Sequence, residues 1–207
     1  MILCDIGNTN ANFYHDGKLW SISIDELDSY KPNEKVYYIN VNPKVIDKLK
    51  EKNNFINIES YFNLDTIYQG MGIDRIAACY TVKDGIIIDV GSAITVDIML
   101  NHMHLGGYIL PGLNAYKEAY KSISSDLDKR LNPNIILDAL PQKTEDAVSY
   151  GIIKSIQMML EETSKNKSIF FTGGDGKFFS KFYKNSIYDR TLIFRGMLKA
   201  IEERKEI

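Results

Sequence analysis

DIGNTN at residues 5–10 and DVGSAITVD at residues 89–97 are the two stretches that decide how this chain is expected to fold. Each follows a short apolar run, and each is followed by a β-prone return segment, a turn signal and a third β-prone segment. Residues 2–24 and 86–109 therefore share one predicted order of strand, Asp-x-Gly turn, strand, turn and strand. Because a repeated supersecondary unit is typical of a duplicated domain, the sequence predicts an α/β fold. We expect two related halves with mixed sheets, flanking helices and a cleft between them.

The boundary between the halves is predicted near residue 83, just before the second apolar strand begins. The predicted domains are residues 1–83 and 84–207, and no low-complexity linker separates them. Further strands are predicted over residues 36–41, 56–61 and 168–172. The spacing of apolar residues and the breaker residues predict helices at residues 43–52, 73–82, 114–122, 145–163, 178–183 and 194–203.

The composition is that of an ordinary globular protein, with 44% hydrophobic and 25% charged residues among 207. A formal net charge of -2 shows none of the basic excess that marks a nucleic-acid-binding domain. No apolar run approaches the roughly 18 residues that a membrane helix needs, and the first residues do not form a signal peptide. We therefore expect a cytoplasmic protein with neither a nucleic-acid nor a membrane partner.

Cysteines and histidines are few, and neither type carries predicted chemistry. Cys4 lies in an apolar strand pattern and Cys79 in a predicted helix, which favours two buried thiols in a reducing compartment. The three histidines are too scattered for a zinc site. Since His102 and His104 alternate on one predicted strand, we expect both to face solvent.

The first turn has the residue types of an anion-binding loop. Gly7 lets the backbone approach a ligand closely, because it has no Cβ. Polar side chains follow at Asn8, Thr9 and Asn10, and successive backbone amides in such a turn can form a concave anion site. Asp5, at the end of the apolar strand, is a candidate for holding a hydrated Mg²⁺ that bridges phosphates. A plain hairpin would use the same turn residues, so this turn alone leaves both interpretations open.

The second turn repeats the Asp-x-Gly pattern and adds hydroxyl groups at Ser92 and Thr95. Asp89 and Asp97 place carboxylates at its two ends. Two such hairpins at equivalent positions of two half-chains indicate a polyphosphate held by both. Neither is a P-loop, because both lack the glycine spacing and the lysine of that motif.

GIDR at residues 72–75 opens a predicted helix between the two hairpins. Asp74 lies in the first helical turn, where the helix dipole favours a carboxylate. One interpretation is a capping aspartate paired with Arg75. The other makes Asp74 a general base and Arg75 a clamp for an anion, since the guanidinium fork fits a carboxylate or a phosphate.

Two glycine-rich segments complete the set of motifs, GGYILPG at residues 106–112 and TGGD at residues 172–175. The Gly106-Gly107 pair weakens a strand, so it indicates a bulge or a close approach of backbone. TGGD follows a predicted strand and precedes a predicted helix. That placement suits a backbone contact to a nucleotide and an ordinary left-handed turn equally well.

Taken together, in this order and at this spacing, the five motifs resemble those of the type III pantothenate kinases, and the resemblance covers most of the chain. It implies duplicated ribonuclease-H-like domains of the actin-like ATPase superfold, which also includes acetate and sugar kinases and heat-shock chaperones. It implies ATP-dependent phosphorylation of pantothenate to 4′-phosphopantothenate, the first step of coenzyme A biosynthesis. It further implies Mg²⁺, a monovalent cation such as K⁺ or NH₄⁺, and a homodimer with its surface on the C-terminal half.

The resemblance also assigns roles to single residues. The implied ATP-binding residues are Asp5, Ile6, Gly7, Asn8, Thr9, Asn10, Ala11, Asn12 and Ser92. The implied pantothenate-binding residues are Tyr68, Gly72, Ile73, Asp74, Arg75 and Thr144, with Asp74 as the general base. Asp89 would bind the monovalent cation, and Tyr61 is the alternative to Tyr68. The family usually has threonine where Ser92 stands, and the chain is shorter than many relatives.

Two other functions compete with this interpretation. One is a kinase of the same superfold that acts on another small hydroxylated substrate. The other is a non-catalytic ATP-binding regulator. The presence of Asp74 and Arg75 favours an enzyme, because a sensor needs no base beside the γ-phosphate.

Overall fold

The computed structural model describes residues 1–205, in which short strands and helices follow one another along the chain. The strands are β1 (Ile2–Ile6), β2 (Asn10–His15), β3 (Lys18–Ser23), β4 (Val36–Asn40), β5 (Phe55–Asn57), β6 (Asp65–Thr66), β7 (Gly85–Val90), β8 (Ala93–Leu100), β9 (Met103–Pro111), β10 (Ile169–Thr172) and β11 (Ser186–Tyr188). The helices are α1 (Ile46–Lys50), α2 (Ile73–Cys79), α3 (Leu113–Ile123), α4 (Thr144–Ser164), α5 (Gly176–Ser180) and α6 (Leu192–Lys205). Short 3₁₀ turns lie at Ile24–Glu26, Pro43–Val45, Glu59–Tyr61 and Ser125–Leu127.

The first sheet has five strands in the order β3-β2-β1-β4-β5. Strands β1 to β3 form an antiparallel meander, and β4 and β5 add to its other side in parallel. Because β1 lies in the middle of the sheet, all five of its residues are buried. The end of β1, where Asp5 and Ile6 lead into the first turn, is therefore set firmly in the core.

The second sheet has six strands in the order β11-β10-β7-β8-β9-β6. Strand β10 pairs in parallel with both β7 and β11. In β7, Ile86, Ile87 and Ile88 are almost completely buried, so the strand before the second turn is also a core strand. The predicted α/β class with mixed sheets is confirmed.

By packing, the chain divides into two units. The first contains Met1–Asp84, Asp97–Gly106 and the described residues from Arg190 onward, and the second contains Gly85–Val96 and Gly107–Asp189. The domains predicted from the repeat, residues 1–83 and 84–207, remain a prediction about the duplicated halves, and residues 206–207 of the second lie outside the described residues. None of the helices in the part of the chain described here is both long and apolar enough to cross a membrane.

Local departures from the predicted elements have simple causes. The helix predicted over residues 43–52 is divided, because Pro43–Val45 forms a 3₁₀ turn before α1. The strand predicted over residues 56–61 ends early, and its second half is the 3₁₀ turn Glu59–Tyr61. Strands β6 and β11 have only two and three residues, too few for any periodicity to mark them.

Helices α2 and α6 pack together in the first unit at a glycine. A Cβ built on Gly196 would lie 1.9 Å from the backbone oxygen of Ala77. That is far inside van der Waals contact, and the obstacle is helix backbone, which cannot rotate away as a side chain would. Glycine at this position therefore sets how closely α6 approaches the helix that carries the GIDR segment.

We predict that Gly196→Ala lowers the free energy of unfolding by about 1 to 3 kcal/mol, because the packed helices must separate. Helix propensity alone predicts the opposite sign, a gain of about 1 kcal/mol. Urea unfolding followed by circular dichroism measures the change. Gly174→Ala is the matched control, since its Cβ would meet no atom within 4 Å. An unchanged or raised stability for Gly196→Ala would contradict the role of this contact.

Candidate functional site

The first hairpin brings residues 5–12 into one tight structure. The backbone N–H of Gly7 donates to the carbonyl of Asn10 at 3.0 Å and closes the turn between β1 and β2. Asp5 pairs with Asn12 across the two strands, and Ile6 pairs with Ala11. The buried side chains are those of Asp5, Ile6 and Ala11, and the exposed ones are those of Asn8, Thr9 and Asn10. The polar turn is thus open to a ligand while both of its stems are anchored.

Asn42 supports this turn, and the sequence interpretation missed it. Its side chain is buried, with 2% exposure, and its Nδ2 donates to the carbonyls of Gly7 and Asn8, each at 3.4 Å. Its Oδ1 accepts from the backbone N–H of Lys44 at 3.0 Å. An asparagine before Pro43 does signal a helical cap. Nothing in the local pattern signals its second role in holding a turn 35 residues earlier.

The second hairpin, in the second unit, depends on close backbone contact. The N–H of Gly91 donates to the carbonyl of Ala93 at 3.0 Å, and the N–H of Gly112 donates to the carbonyl of Ser92 at 3.2 Å. A Cβ on Gly112 would lie 2.3 Å from the oxygen of Gly91. The close approach of backbone that was predicted for the GGYILPG segment is therefore made by its last residue, Gly112. At Gly106 a Cβ would meet nothing within 4 Å, and the reason for glycine is a φ of +132°.

The TGGD segment packs against the same turn. Gly173 has a φ of +81°, and a Cβ there would lie 2.3 Å from Asp89 Oδ1 and 2.5 Å from the oxygen of Val90. The N–H of Asp175 donates to that Val90 oxygen at 3.1 Å. Carboxylate and carbonyl oxygens are the donors that hard cations take. Two oxygens of this type, on Asp89 and Val90, lie beside Gly173, and the monovalent cation expected at Asp89 remains a prediction.

The GIDR segment forms the start of α2, with Gly72 as its N-cap and Ile73 as its first residue. Asp74 Oδ1 accepts from the backbone N–H of Arg75 at 2.8 Å. A Cβ on Gly72 would lie 2.5 Å from that Oδ1, so glycine leaves the space that the carboxylate occupies. Burial raises the pKa of Asp74, and the N–H bond and charge of Arg75 offset only part of that rise.

The Arg75 guanidinium is directed to Asp97 and not to Asp74. Its Nε donates to Asp97 Oδ2 at 3.0 Å and its Nη2 to Oδ1 at 2.7 Å. Both residues are buried, with 5% and 1% exposure. Burial opposes the charge on Arg75, but the bonds and charge of Asp97 raise its pKa above the usual value. The capping interpretation is wrong in pairing the side chains of Asp74 and Arg75, because the bond between these two residues comes from the backbone N–H of Arg75.

His104 is buried, and the expectation that it faces solvent is wrong. Its exposure is 1%, its Nε2 lies 2.9 Å from Asp97 Oδ1, and its Nδ1 lies 2.7 Å from Thr66 Oγ1. The cause is strand β6, which pairs Thr66 with His104 and was too short to predict. His102 is exposed, but it lies in the turn before β9 with a φ of +65°, so strand alternation did not apply to it.

Tyr68 and Tyr61 have different neighbours, which bears on the choice between them. The Tyr68 ring lies 4.8 Å from the Arg75 guanidinium carbon and 5.9 Å from the His104 ring. The Tyr61 ring lies 5.9 Å from the guanidinium carbon of Arg204, and Tyr61 lines a cavity of about 560 Å³ that Tyr68 does not line. Of the two tyrosines, Tyr68 is therefore the one that the structure brings to the GIDR segment.

Thr144 is the first residue of α4 in the second unit, and its side chain is exposed. Asp89 and Ser92 belong to the same unit, with Ser92 exposed at the tip of its turn. Asp5, Tyr68, Asp74 and Arg75 belong to the first unit. The predicted roles of all these residues in binding remain predictions.

Comparison with known proteins identifies one family by sequence. A family profile described as type III pantothenate kinase matches residues 28–166. A type III pantothenate kinase from Campylobacter jejuni is 53% identical over 203 residues, which are 98% of this chain and 97% of that protein. A crystal structure from Campylobacter jejuni, described as a conserved Baf family transcriptional activator, has a TM-score of 0.92 at 51% identity, and the match covers both chains completely.

More distant structures share the fold alone. ADP-bound MreB5 of Spiroplasma citri has a TM-score of 0.51 at 12% identity, covering 99% of this chain and 98% of that one. Such neighbours have the actin-like ATPase fold. The predicted architecture of duplicated ribonuclease-H-like domains is confirmed.

We predict that Asp97→Asn lowers the free energy of unfolding by about 3 to 5 kcal/mol, because it leaves the buried Arg75 charge without its partner. Chemical denaturation measures the loss. The matched control is Asp47→Asn, which breaks an exposed pair with Lys50 at 2.9 Å and should change stability by less than about 0.5 kcal/mol. Equal losses of unfolding free energy in the two variants would contradict the prediction that burial makes the Arg75–Asp97 pair more important for stability than an exposed pair.

Proposed function

The chain belongs to the type III pantothenate kinase family, and from that membership we propose how its own residues carry out the family's reaction. It phosphorylates pantothenate with ATP in the first step of coenzyme A biosynthesis. The observation that best supports a catalytic role for this chain is Asp74, a carboxylate at the start of α2 with its pKa raised by burial. A base is most effective when its pKa approaches the working pH, so a raised carboxyl pKa favours proton abstraction.

In the proposed mechanism, Asp74 orients the primary hydroxyl of pantothenate and accepts its proton. The hydroxyl oxygen forms a bond to the γ-phosphorus as the bond from that phosphorus to the β–γ bridging oxygen breaks, and ADP leaves. Phosphoryl transfer depends on positioning and charge stabilisation more than on covalent chemistry by the protein. The backbone amides of the two turns, with the hydroxyls of Thr9 and Ser92, are proposed to supply that stabilisation.

Substrate contacts are proposed for the residues already described. Residues 5–12 and Ser92 contact ATP. The pantothenate contacts are Tyr68, Gly72, Ile73, Asp74, Arg75 and Thr144. Arg75 is suited to the carboxylate of pantothenate, because Asp97 takes only two of its five N–H groups.

Two ions complete the proposal. Asp5 would hold Mg²⁺ through water, and Asp89, with the carbonyl of Val90, would hold a monovalent cation such as K⁺ or NH₄⁺. The ions supply positive charge that offsets the charge of the phosphates. We also propose a homodimer and a cytoplasmic location, both of which follow from the family resemblance.

A pantothenate-dependent assay tests the activity directly. With ATP, Mg²⁺ and K⁺, addition of pantothenate should start ADP release and form a product heavier than pantothenate by one phosphoryl group, detected by mass spectrometry. A panel of sugars and hydroxylated carboxylic acids is the control. Turnover on one of those and not on pantothenate would identify another kinase, and nucleotide binding without any turnover would identify a regulator. Equal rates in Na⁺, K⁺ and NH₄⁺ would exclude only the role of Asp89.

We predict that Asp74→Asn lowers kcat by about 10²- to 10⁴-fold, because the general base is lost, while ATP affinity stays unchanged. Calorimetric titration with a nonhydrolysable ATP analogue provides the control. Near-normal turnover would remove Asp74 from this role. In the unsubstituted enzyme, kcat/KM for pantothenate should fall on acidification through a pKa above the usual carboxyl value of about 3.9, because the base of the free enzyme must be ionised.

The same substitution has a pH-dependent effect on stability. Because the folded-state pKa of Asp74 is raised, ionising it costs folding free energy above its unfolded pKa. Asp74→Asn should therefore gain stability relative to the unsubstituted chain as pH rises through the folded pKa, and the difference should vanish below pH about 4. Thermal unfolding at several pH values measures it.

A further inference from the structure

We propose that His104 is a positioning residue for the kinase reaction. Acting through Asp97, it holds the Arg75 guanidinium in the orientation that receives the carboxylate of pantothenate. This inference rests on the proposed function, and in particular on the contact between Arg75 and pantothenate. The residues involved are Thr66, His104, Asp97, Arg75 and Tyr68, and all belong to the first unit.

The hydrogen bonds around His104 can be oriented from what each partner offers. An ionised carboxylate only accepts, so His104 Nε2 donates to Asp97 Oδ1 at 2.9 Å. On the other side of the ring, Thr66 Oγ1 accepts the backbone N–H of Tyr68 at 3.0 Å. In the neutral ring with its proton on Nε2, Nδ1 can only accept, so the Thr66 hydroxyl donates to it at 2.7 Å. Thr66 thus pairs with the unprotonated ring nitrogen, and the proton on Nε2 is the one donated to Asp97.

Three bonds fix the carboxylate of Asp97. Its Oδ2 accepts from Arg75 Nε, and its Oδ1 accepts from both Arg75 Nη2 and His104 Nε2. With the guanidinium as its only partner, the carboxylate could tilt together with it, since two parallel hydrogen bonds join the two groups into one planar unit. His104 provides a third point, on a different strand. Its bond therefore fixes the plane of the carboxylate, and with it the plane of the guanidinium.

Burial makes this arrangement rigid. Asp97 and His104 each have 1% exposure and Arg75 has 5%, so water cannot replace a lost partner without opening the structure. The Tyr68 ring, 4.8 Å from the Arg75 guanidinium carbon, packs against the pair. The N–H groups of Arg75 that Asp97 does not use then have a defined direction, which planar recognition of a carboxylate requires.

Two substitutions separate this role from a general contribution to packing. The amide nitrogen of glutamine reaches the position of histidine Nε2, so His104→Gln keeps the donor to Asp97. Asparagine reaches only the position of Nδ1, so His104→Asn keeps a partner for Thr66 and loses the bond to Asp97. The two variants are similar in polarity. Glutamine keeps the bond to Asp97 and gives up the one to Thr66, and asparagine does the reverse, so a loss caused by the Thr66 bond would appear in His104→Gln instead.

The experiment is steady-state kinetics of the full-length enzyme with ATP and pantothenate. His104→Asn should raise KM for pantothenate about tenfold, the lower end for losing a hydrogen bond to a charged group, with KM for ATP and kcat within about threefold. His104→Gln should keep KM for pantothenate within about threefold. A role confined to packing would reduce the active fraction and lower kcat, leaving both KM values unchanged. His102→Asn is the control, because this residue is exposed and asparagine tolerates its φ of +65°.

The outcomes separate cleanly. A raised KM for pantothenate in His104→Asn together with rescue in His104→Gln supports the proposal. Unchanged KM values in both variants, or the same rise in both, overturn it. If His104→Asn does not fold, His104→Met, which matches glutamine in length and has no donor for Asp97, takes its place, and an unchanged KM for pantothenate there overturns the proposal. Absence of pantothenate turnover in the unsubstituted enzyme would instead refute the proposed function, a result that the variants cannot mimic.

Discussion

The buried ion pair of Arg75 and Asp97 is the interaction on which the first unit's candidate site depends. Moving two charges out of water is expensive, and the attraction between them compensates only when the geometry is good and the remaining donors and acceptors are satisfied. Here two hydrogen bonds join the pair. His104 donates a further hydrogen bond to Asp97, and the Tyr68 ring packs against Arg75. The start of α2 is consequently fixed against β8 and, through His104, against β9.

In the second unit the corresponding constraint is steric, because the backbone of the second turn leaves no space for a side chain on the segments packed against it. The turn at residues 90–92 is in contact with Gly112 and Gly173, and a Cβ at either would lie 2.3 Å from an oxygen of this region. Three segments far apart in sequence can meet here only because side chains are absent. Gly112 of the GGYILPG segment and Gly173 of the TGGD segment are thus explained by packing around the Asp89 turn.

The features predictable from sequence were those with local causes. The Asp-x-Gly turns, the start of α2 at the GIDR segment and the long helix α4 follow from turn chemistry and apolar spacing within about twenty residues. The features missed depend on contacts between distant segments. Asn42 reaches the turn at Gly7 across 35 positions, and His104 is buried because a two-residue strand covers it. No local pattern distinguishes such residues from an ordinary cap or a solvent-facing histidine.

The direction of the Arg75 guanidinium also bears on the proposed role of Asp74 as a base. A guanidinium paired with a carboxylate typically lowers the pKa of that carboxyl by about one to three units, which would weaken it as a proton acceptor. The charge of Arg75 does lower the pKa of Asp74, but its guanidinium is bonded to Asp97 and not to Asp74, and burial outweighs this lowering, with a further rise from the nearby Asp97 charge. A cation for an anionic substrate and a carboxylate with a raised pKa are conflicting requirements for adjacent residues, because the cation lowers the pKa. Pairing Arg75 with Asp97 reduces this conflict. A cation stays close enough to contact an anionic substrate, and the carboxylate beside it keeps the raised pKa that proton transfer needs.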